Sequence, residues 1–505
     1  MTSSLPYPWM QISLEEIATV VQGQSPPGHS YNERGEGLPF FQGKAEFGEI
    51  YPIIKKWCTL PKKEAYPGDI LFSIRAPVGP TNLANVHCAI GRGLAAIRPM
   101  DDMPSKYLLY YLRYSNRGLA AQATGSTFQA ISGKLLCEYP VMVAPLPEQH
   151  RIVAKIEQLF SELDKGVAEL KKAREKLELY RQSLLKAAFE GRLTEAWRKE
   201  HADELESADE LLARIKAERE KRYQQQLDQW NQAVRKWEAQ GKPGRKPTKP
   251  RKPKKLPPLT KEELAELPEL PEGWVWFRVA HLCEVVRGGS PRPAGDPKYY
   301  GGNIPFLKVA DITGDTNPYL ESFTFTIKEA GLTKTRLVKA NTLLLSNSGA
   351  TLGVPKICTF ETTFNDGIAA FLGVDEDILL YHYYFWMSNT RKLRSVNQGA
   401  AQPNLNTNLI KEYLFPVCSK AEMIAVADKL DRIFSTIENV QNTLQRELSK
   451  AEALRQSILK KAFSGRLVPQ DPNDEPASEL LKRIRAEQEA CTGTARRSPQ
   501  RRQRK

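Results

Sequence analysis

One segment of this chain is written twice. RQSLLKAAFEGRL, from Arg181 to Leu193, returns as RQSILKKAFSGRL, from Arg455 to Leu467, so that Arg181 pairs with Arg455, Phe189 with Phe463 and Gly191 with Gly465 at a constant offset of 274 residues. Solenoid repeats run about 20 to 50 residues, so a period this long marks a duplicated half-protein. Upstream of the repeat, Ile156, Leu163, Leu170, Leu177 and Leu184 fall seven apart, and their partners are Leu430, Ile437, Leu444, Ala451 and Ile458. An apolar residue at every seventh position is the seam of a coiled coil. Each run covers about 40 residues, or about 60 Å of helix at 1.5 Å per residue. An ordinary amphipathic helix lying on a globular core is the alternative, although such helices seldom run so long. Downstream, ADELLARIKAERE from Ala208 answers to ASELLKRIRAEQE from Ala477.

The chain has 505 residues, enough for about three domains with real cores. No run of 18 or more apolar residues occurs, and MTSSLPYPWMQISLEEI lacks the basic and apolar regions of a signal peptide. The seven cysteines are scattered, with no CxxC pair, and the six histidines show no metal-ligand spacing. A reduced, cytoplasmic, metal-free chain is expected. The net charge of +14 is localised: eight Lys/Arg and no acid lie in GKPGRKPTKPRKPKK, from Gly241, and six more lie between Arg496 and Lys505. Those fourteen equal the whole excess, so the rest of the chain is balanced. Such tracts either hold phosphates loosely or serve as solubilising linkers.

The boundaries follow: a first globular unit at 1–147, a long helix at 148–192, a helical extension at 193–240, and a basic proline-rich linker at 241–269. A second globular unit at 270–419, a second long helix at 420–466, a helical extension at 467–490 and a basic tail at 491–505 complete the chain. The globular units echo each other faintly. VVQGQSPP at Val20 matches VVRGGSPR at Val285, LPFFQ at Leu38 matches IPFLK at Ile304, and GDILFSIRAPVG from Gly68 lines up with ANTLLLSNSGATLG from Ala340. These segments predict short strands with Gly, Pro and Ser turns. YLLYYLRYSNRGLAAQ, from Tyr107, and YHYYFWMSNTRKLRSV, from Tyr381, predict aromatic-rich helices. A shared scaffold whose surroundings have diverged suggests two similar folds that recognise two different things.

The ordered set of LPEGW at Leu270, YGGNIPF from Tyr300 to Phe306, PLPEQHRIVAKIEQLF at Pro145 and the two QS[LI]LKxAFxGRL segments resembles the specificity subunits of type I restriction-modification systems. GRLTEAWRKE after Gly191 and LLKRIRAEQE after Leu480 also look like that family, and the likeness covers nearly the whole chain. The resemblance implies an α+β fold: two similar α/β target-recognition domains separated by a long antiparallel two-helix coiled coil, as a pseudo-twofold duplicated half-protein. It implies a non-catalytic subunit that reads an asymmetric, bipartite target in double-stranded DNA, with an unread spacer set by the helices. Two modification (methyltransferase) subunits, which bind S-adenosylmethionine, and two restriction subunits, which use ATP and Mg, would dock on it; the chain itself would carry no cofactor. Helices that zip two copies together are the alternative to intramolecular pairing.

Major-groove reading needs Arg or Lys for guanine and Asn or Gln for adenine. Turn-like segments of the first unit offer Gln22, Gln24, Ser25, Gln42, Lys44, Arg75, Thr127, Gln129 and Lys134. The second offers Arg287, Ser290, Lys308, Asn347, Ser348, Gln402, Asn404 and Asn406. Each taken singly also fits a solvated loop residue. For subunit docking the repeated segments offer Gln182, Phe189, Arg192, Gln456, Phe463 and Arg466, with Phe189 and Phe463 either as anchors or as internal closures of the coiled coil. Catalytic patterns are missing. Asn317-Pro318-Tyr319 lacks the second proline of an adenine methyltransferase loop, and no GxxxxGK[ST] phosphate loop occurs. His87 and Cys88, adjacent on an expected strand, would face opposite ways. A coiled-coil scaffold with protein-binding heads and a cryptic nuclease remain as rival readings.

Overall fold

The computed structural model describes residues 8–100, 102–123, 130–242, 246–250, 252, 257, 259–395 and 405–495. The chain forms two compact units, Met1–Lys172 with Leu444–Lys505, and Ala173–Thr443. Each unit therefore takes a globular head, the start of its own long helix, and the end of the long helix from the other half of the sequence.

The heads share one topology. In the first, a four-stranded antiparallel sheet runs in the order Ala18–Gln22, Leu94–Pro99, Ile70–Ser73, Thr81–Leu83. In the second, Glu284–Arg287, Ile368–Leu372, Thr342–Ser346 and Pro355–Cys358 repeat that order, and Tyr319–Leu320 adds a fifth strand. Each head has a further sheet around a parallel pair, Leu38–Phe41 with Cys88–Ile90 in one and Tyr300–Leu307 with Thr362–Phe364 in the other. Each is closed by an antiparallel pair, Met10–Ser13 with Pro140–Val143 and Val275–Arg278 with Leu414–Val417. The two aromatic segments form 17-residue helices, Ser105–Ala121 and Leu379–Ser395, whose buried sides fill the cores. The central strands Ile70–Ser73 and Thr342–Ser346 are buried at every position, as strands covered on both faces must be.

The long helices are Leu146–Phe189 and Lys420–Ala462. The first ends in a left-handed glycine, Gly191 (φ 71°), with the Arg192 and Gly191 amides donating to the Ala187 and Ala188 carbonyls (2.9 and 3.2 Å). The second ends the same way at Gly465 (φ 67°), with Arg466 and Gly465 donating to Lys461 and Ala462. Both are Schellman caps, which only glycine adopts without a Cβ penalty.

Within each unit the two helix segments run antiparallel, and the same contacts recur with their partners exchanged. In the first unit the Arg455 guanidinium lies over the Phe160 ring (5.0 Å), and in the second Arg181 lies over Phe434 (4.9 Å). Phe463 packs against Tyr107 and Tyr111 (ring centroids 5.4 and 5.1 Å), while Phe189 packs against Tyr381 and Phe385 (5.2 and 5.3 Å). Trp9 donates its indole N–H to Glu148 (2.9 Å), and Trp274 donates to Glu422 (2.9 Å). Except for the two tryptophans, which stand 265 residues apart, all these residues obey the 274-residue offset.

Phe189 and Phe463 are only 7% and 5% exposed. They are therefore not free anchors for another subunit: each helix ends by inserting its phenylalanine into a head. Edge-to-face pairing contributes about 0.5–1.5 kcal/mol beyond area burial. Truncating a buried phenylalanine costs about 3–5 kcal/mol. Phe189→Ala and Phe463→Ala should each lower the unfolding free energy by about that much in denaturant melts. An unchanged melt would mean these rings do not close their units.

The two Trp–Glu pairs differ in what surrounds the carboxylate. Glu422 also accepts from Thr194 Oγ1 (2.8 Å) and Arg198 Nε (2.9 Å) and is buried. Glu148 is equally buried, but Arg151 beside it is engaged by Asp474 (2.5 Å), and burial pushes the Glu148 carboxyl above the usual carboxylate range. A folded-state value above the unfolded one means that the native protein holds the proton more tightly. Stability is then fully present below the ordinary carboxylate range and is lost as pH rises through the raised value. Glu148→Gln should flatten the fall in melting temperature between acid and neutral pH. Glu422→Gln strands Arg198 and should cost about 3 kcal/mol at neutral pH.

Candidate nucleic-acid interface

In each head the expected contact segments gather at one end of the sheets, because backbone hydrogen bonds tie neighbouring loops together. In the first head, Gln22 ends its strand, the Gly23 amide donates to Leu94 O (2.9 Å) and the Gln24 amide to Ile90 O (3.1 Å). Gln42 follows Leu38–Phe41, and the Gly91 amide donates to Phe41 O (2.8 Å). Lys44 opens the short turn Lys44–Glu46, which Glu46 stabilises by accepting from the Gly43 amide (3.0 Å). The Ile74 amide donates to Gly93 O and the Ile131 amide to Ile74 O (3.0 Å each), which draws Arg75 and Ala130 into a bridge. Lys134 stands in the first turn of Gly133–Cys137, capped by Ser132 Oγ. The Gln22 side chain lies so close over Gly133 that a Cβ there would meet its Nε2 at 1.5 Å.

Gln22, Gln24, Gln42, Lys44, Arg75 and Lys134 are all exposed at this end. Ser25 is not available in the same way: its hydroxyl is turned into the protein. Thr127 and Gln129 lie outside the described residues. One residue that the sequence reading passed over belongs here. Arg92, exposed at the tip of the turn between Cys88–Ile90 and Leu94–Pro99, is flanked by Gly91 and Gly93. The signal was available, since GRG between two strands is a tight turn carrying one cation.

In the second head the same backbone bonds recur: Gly288 to Ile368 O (3.1 Å), Gly289 to Phe364 O (3.0 Å), Asn365 to Leu307 O and Asn347 to Gly367 O (2.9 Å each). The side chains differ. Asp366 stands where the first head has Arg92. It accepts from Ser290 Oγ (2.6 Å), its carbonyl accepts from Arg287 Nε (2.6 Å), and the Ser290 bond is the main cause that holds its carboxyl below the usual range. Lys308 places its ammonium 3.3 Å from the centroid of the exposed Phe325 ring, on the rim of a cleft of about 400 Å³. Arg292, Tyr300 and Asp366 also line that cleft.

Two further expectations need correction, and two cannot be placed. Asn347 is fully buried and presents no edge to a ligand. Its amide bonds as Ile74's does in the first head, so Arg75 corresponds to half-buried Ser348. The match between GDILFSIRAPVG and ANTLLLSNSGATLG is thus one residue out, and a slip of one in a strand exchanges inside for outside. Asn406 caps the helix Thr407–Glu412, its Oδ1 accepting from the Asn408 and Leu409 amides (2.9 Å each). That role is structural. Gln402 and Asn404 lie outside the described residues.

Among the docking residues, Arg192 and Arg466 are exposed, while Gln182 and Gln456 are half-buried. The adjacent His87 and Cys88 form no nucleophile pair. His87 stacks on Tyr66 (4.5 Å) and bonds Glu64 (2.8 Å), and Cys88 is buried with its thiol pushed up to about 12, chiefly by desolvation. Among the described residues there is no cluster of three or more potential metal ligands, and no helix is long and apolar enough to cross a membrane.

The type I restriction modification DNA specificity domain matches this chain at residues 6–172 and again at 271–450, together more than half its length. The chain belongs to that family. Both heads are thus DNA specificity domains, and each match runs on into the long helix that follows. The MjaX type I specificity subunit of Methanocaldococcus jannaschii is 35% identical over 192 residues, 37% of this chain and 44% of that protein. The EcoDI specificity subunit of Escherichia coli is 30% identical over 43% of this chain and 50% of its own length. The chain thus spans about half the length of these two relatives. The EcoBI specificity subunit of Escherichia coli aligns end to end, 21% identical over 96% of this chain and 93% of its own. The crystal structure of the HsdS subunit from Thermoanaerobacter tengcongensis covers 92% of this chain and 99% of its own at 16% identity, with a TM-score of 0.45.

The geometry makes a sharp forecast. If the exposed tips read bases, Arg92→Ala and Gln42→Ala should each cost about 1–3 kcal/mol of discrimination at one position of a target. In gel-shift titrations Ser25→Ala and Asn347→Asp should affect folding before they affect specificity. Unchanged binding across Gln22, Gln42, Arg75, Arg92 and Lys308 would refute the placement.

Proposed function

We propose that the chain is the non-catalytic specificity subunit of a type I restriction-modification complex, reading an asymmetric, two-part target in double-stranded DNA. One head reads each part, and the long helices set the length of the unread spacer. The observation that carries this is the pairing of one conserved framework with two different tips. Gln22, Gln42 and Arg92 in one head occupy the positions that Arg287, Lys308 and Asp366 hold in the other. Glutamine suits adenine, arginine and lysine suit guanine, and a carboxylate accepts from cytosine N4. Identical backbone with unlike side chains is what two unlike half-sites require.

On this reading two methyltransferase subunits, which would bring S-adenosylmethionine, and two restriction subunits, which would bring ATP and Mg, dock on this chain in a bacterial or archaeal cytoplasm. Docking falls to the exposed sides of the repeated helix segments, with Arg192 and Arg466 at the two helix ends and Gln182 and Gln456 beside them. Close copying of these segments suits two equivalent partners. The scaffold alternative leaves the divergent tips without a purpose.

Mapping methylated adenines in cells that carry this chain with its methyltransferase should reveal a two-part, non-palindromic motif. Lys308→Ala should relax one part and Gln42→Ala the other. Relaxation of both parts by a single substitution, or no dependence of methylation on this chain, would overturn the reading.

A further inference from the structure

The strand Phe325–Ile327 borders the candidate interface of the second head and pairs with Tyr300–Leu307, Phe325 standing opposite Phe306. Phe306 is buried, whereas Phe325 is 39% exposed. A single exposed apolar ring is ordinary on a protein surface, but this one is held in place twice. The Lys308 ammonium lies 3.3 Å from its centroid, within range of the attraction between a cation and an aromatic face. Asp311 ties together the backbone that carries the two side chains. One of its carboxylate oxygens accepts from the Lys308 amide (2.7 Å), and the other accepts from the amide and hydroxyl of Thr324 (3.2 and 2.5 Å). The ring is thereby fixed beside a candidate base-reading cation, on the rim of the cleft of about 400 Å³.

The first head puts a different side chain at this place. Leu38 and Pro39 pair with Cys58 and Trp57, as Ile304 and Pro305 pair with Ile327 and Thr326. The next residue along, Phe40, donates its amide to Lys56 O (2.8 Å). Lys56 therefore stands where the second head has Phe325, and it too is exposed. The position behaves like the tips: the backbone pairing is kept while the side chain is exchanged.

We propose that Phe325 is a specificity-determining residue of the second head, which reads the 5-methyl group of a thymine next to the guanine read by Lys308. In the major groove guanine offers two acceptors to a lysine, and thymine offers a methyl group to an apolar side chain. Ring and ammonium lie 3.3 Å apart, and successive bases of one strand are spaced by about 3.4 Å, so the two groups reach the same or neighbouring base pairs. A guanine pair holds no thymine, so the thymine belongs to the neighbour. Fixing the ring before binding lowers the entropy lost on contact. The inference rests on the DNA reading above and adds a residue and a base class that it does not use.

The test uses the full-length chain and the duplex motif it enriches from a random pool. Lys308→Ala marks the half read by the second head through the base pair at which it relaxes selection. Each thymine of that half is then replaced singly by deoxyuridine, which removes the methyl group and nothing else. At one thymine adjoining the marked pair, the unaltered chain should bind about fourfold more weakly, as burial of one apolar carbon requires. Phe325→Ala should bind the thymine and uracil duplexes equally, and Phe325→Leu, which keeps an apolar tip, should retain part of the difference. The same thymine-to-uracil ratio in Phe325→Ala as in the unaltered chain overturns the inference. So does a motif with no thymine beside the marked pair, or an equal loss by Phe325→Ala on every duplex. Permanganate reactivity of that thymine in the complex would mean an unstacked base resting on the ring, and would overturn the methyl contact. Enrichment of no motif at all removes the DNA reading, and this inference with it.

Discussion

Both units depend on one arrangement: a helix end that comes from the other half of the sequence. Each head carries in the first two turns of its aromatic helix a pair of rings, Tyr107 and Tyr111 or Tyr381 and Phe385, that pack against a third. The third is supplied by Phe463 in the first case and Phe189 in the second, at the close of a long helix that began in the other duplicate. A Schellman glycine stops each helix just past the insertion point, and the downstream helical extension then packs on the same head, with Leu480, Leu481 and Ile484 buried in the first unit. Neither half of the sequence can complete its own core. The strict copying of the RQS[LI]LK segments follows from this requirement, because both copies must fit the same aromatic socket.

That constraint leaves the opposite end of each head free to vary. The tips hang on backbone hydrogen bonds between strands, such as Gly91 to Phe41 O and Asn365 to Leu307 O, which no side chain is needed to maintain. Arg92 can therefore stand where the other head has Asp366 without loss of the scaffold. In the second head the carboxylate even organises its neighbours, holding Ser290 and, through its carbonyl, Arg287. Divergence of recognition at constant fold is the expected outcome when framework and recognition use different atoms.

Much of the framework was legible in the sequence, because periodicity and exact repetition report packing directly. Both long helices and the paired aromatic helices lie where the sequence predicts them. The reading failed where local chemistry has two uses. Phe189 and Phe463 were equally suited to a partner or to their own core, and only the sockets on the heads decide the matter. Asn406 has the right side chain for adenine, but it precedes a helix whose first amides need a cap. Asn347 was misplaced by a one-residue slip in a weakly similar strand, and Arg92 was hidden in a short GRG turn with no repeat to draw notice.

Selection of duplexes from a random pool by the purified full-length chain, followed by sequencing of the bound fraction, tests the central claim most directly. Two heads with one framework and unlike tips predict enrichment of a two-part motif whose halves differ and whose separation is fixed. A palindromic motif, a single uninterrupted motif, or no enrichment over the starting pool would contradict it.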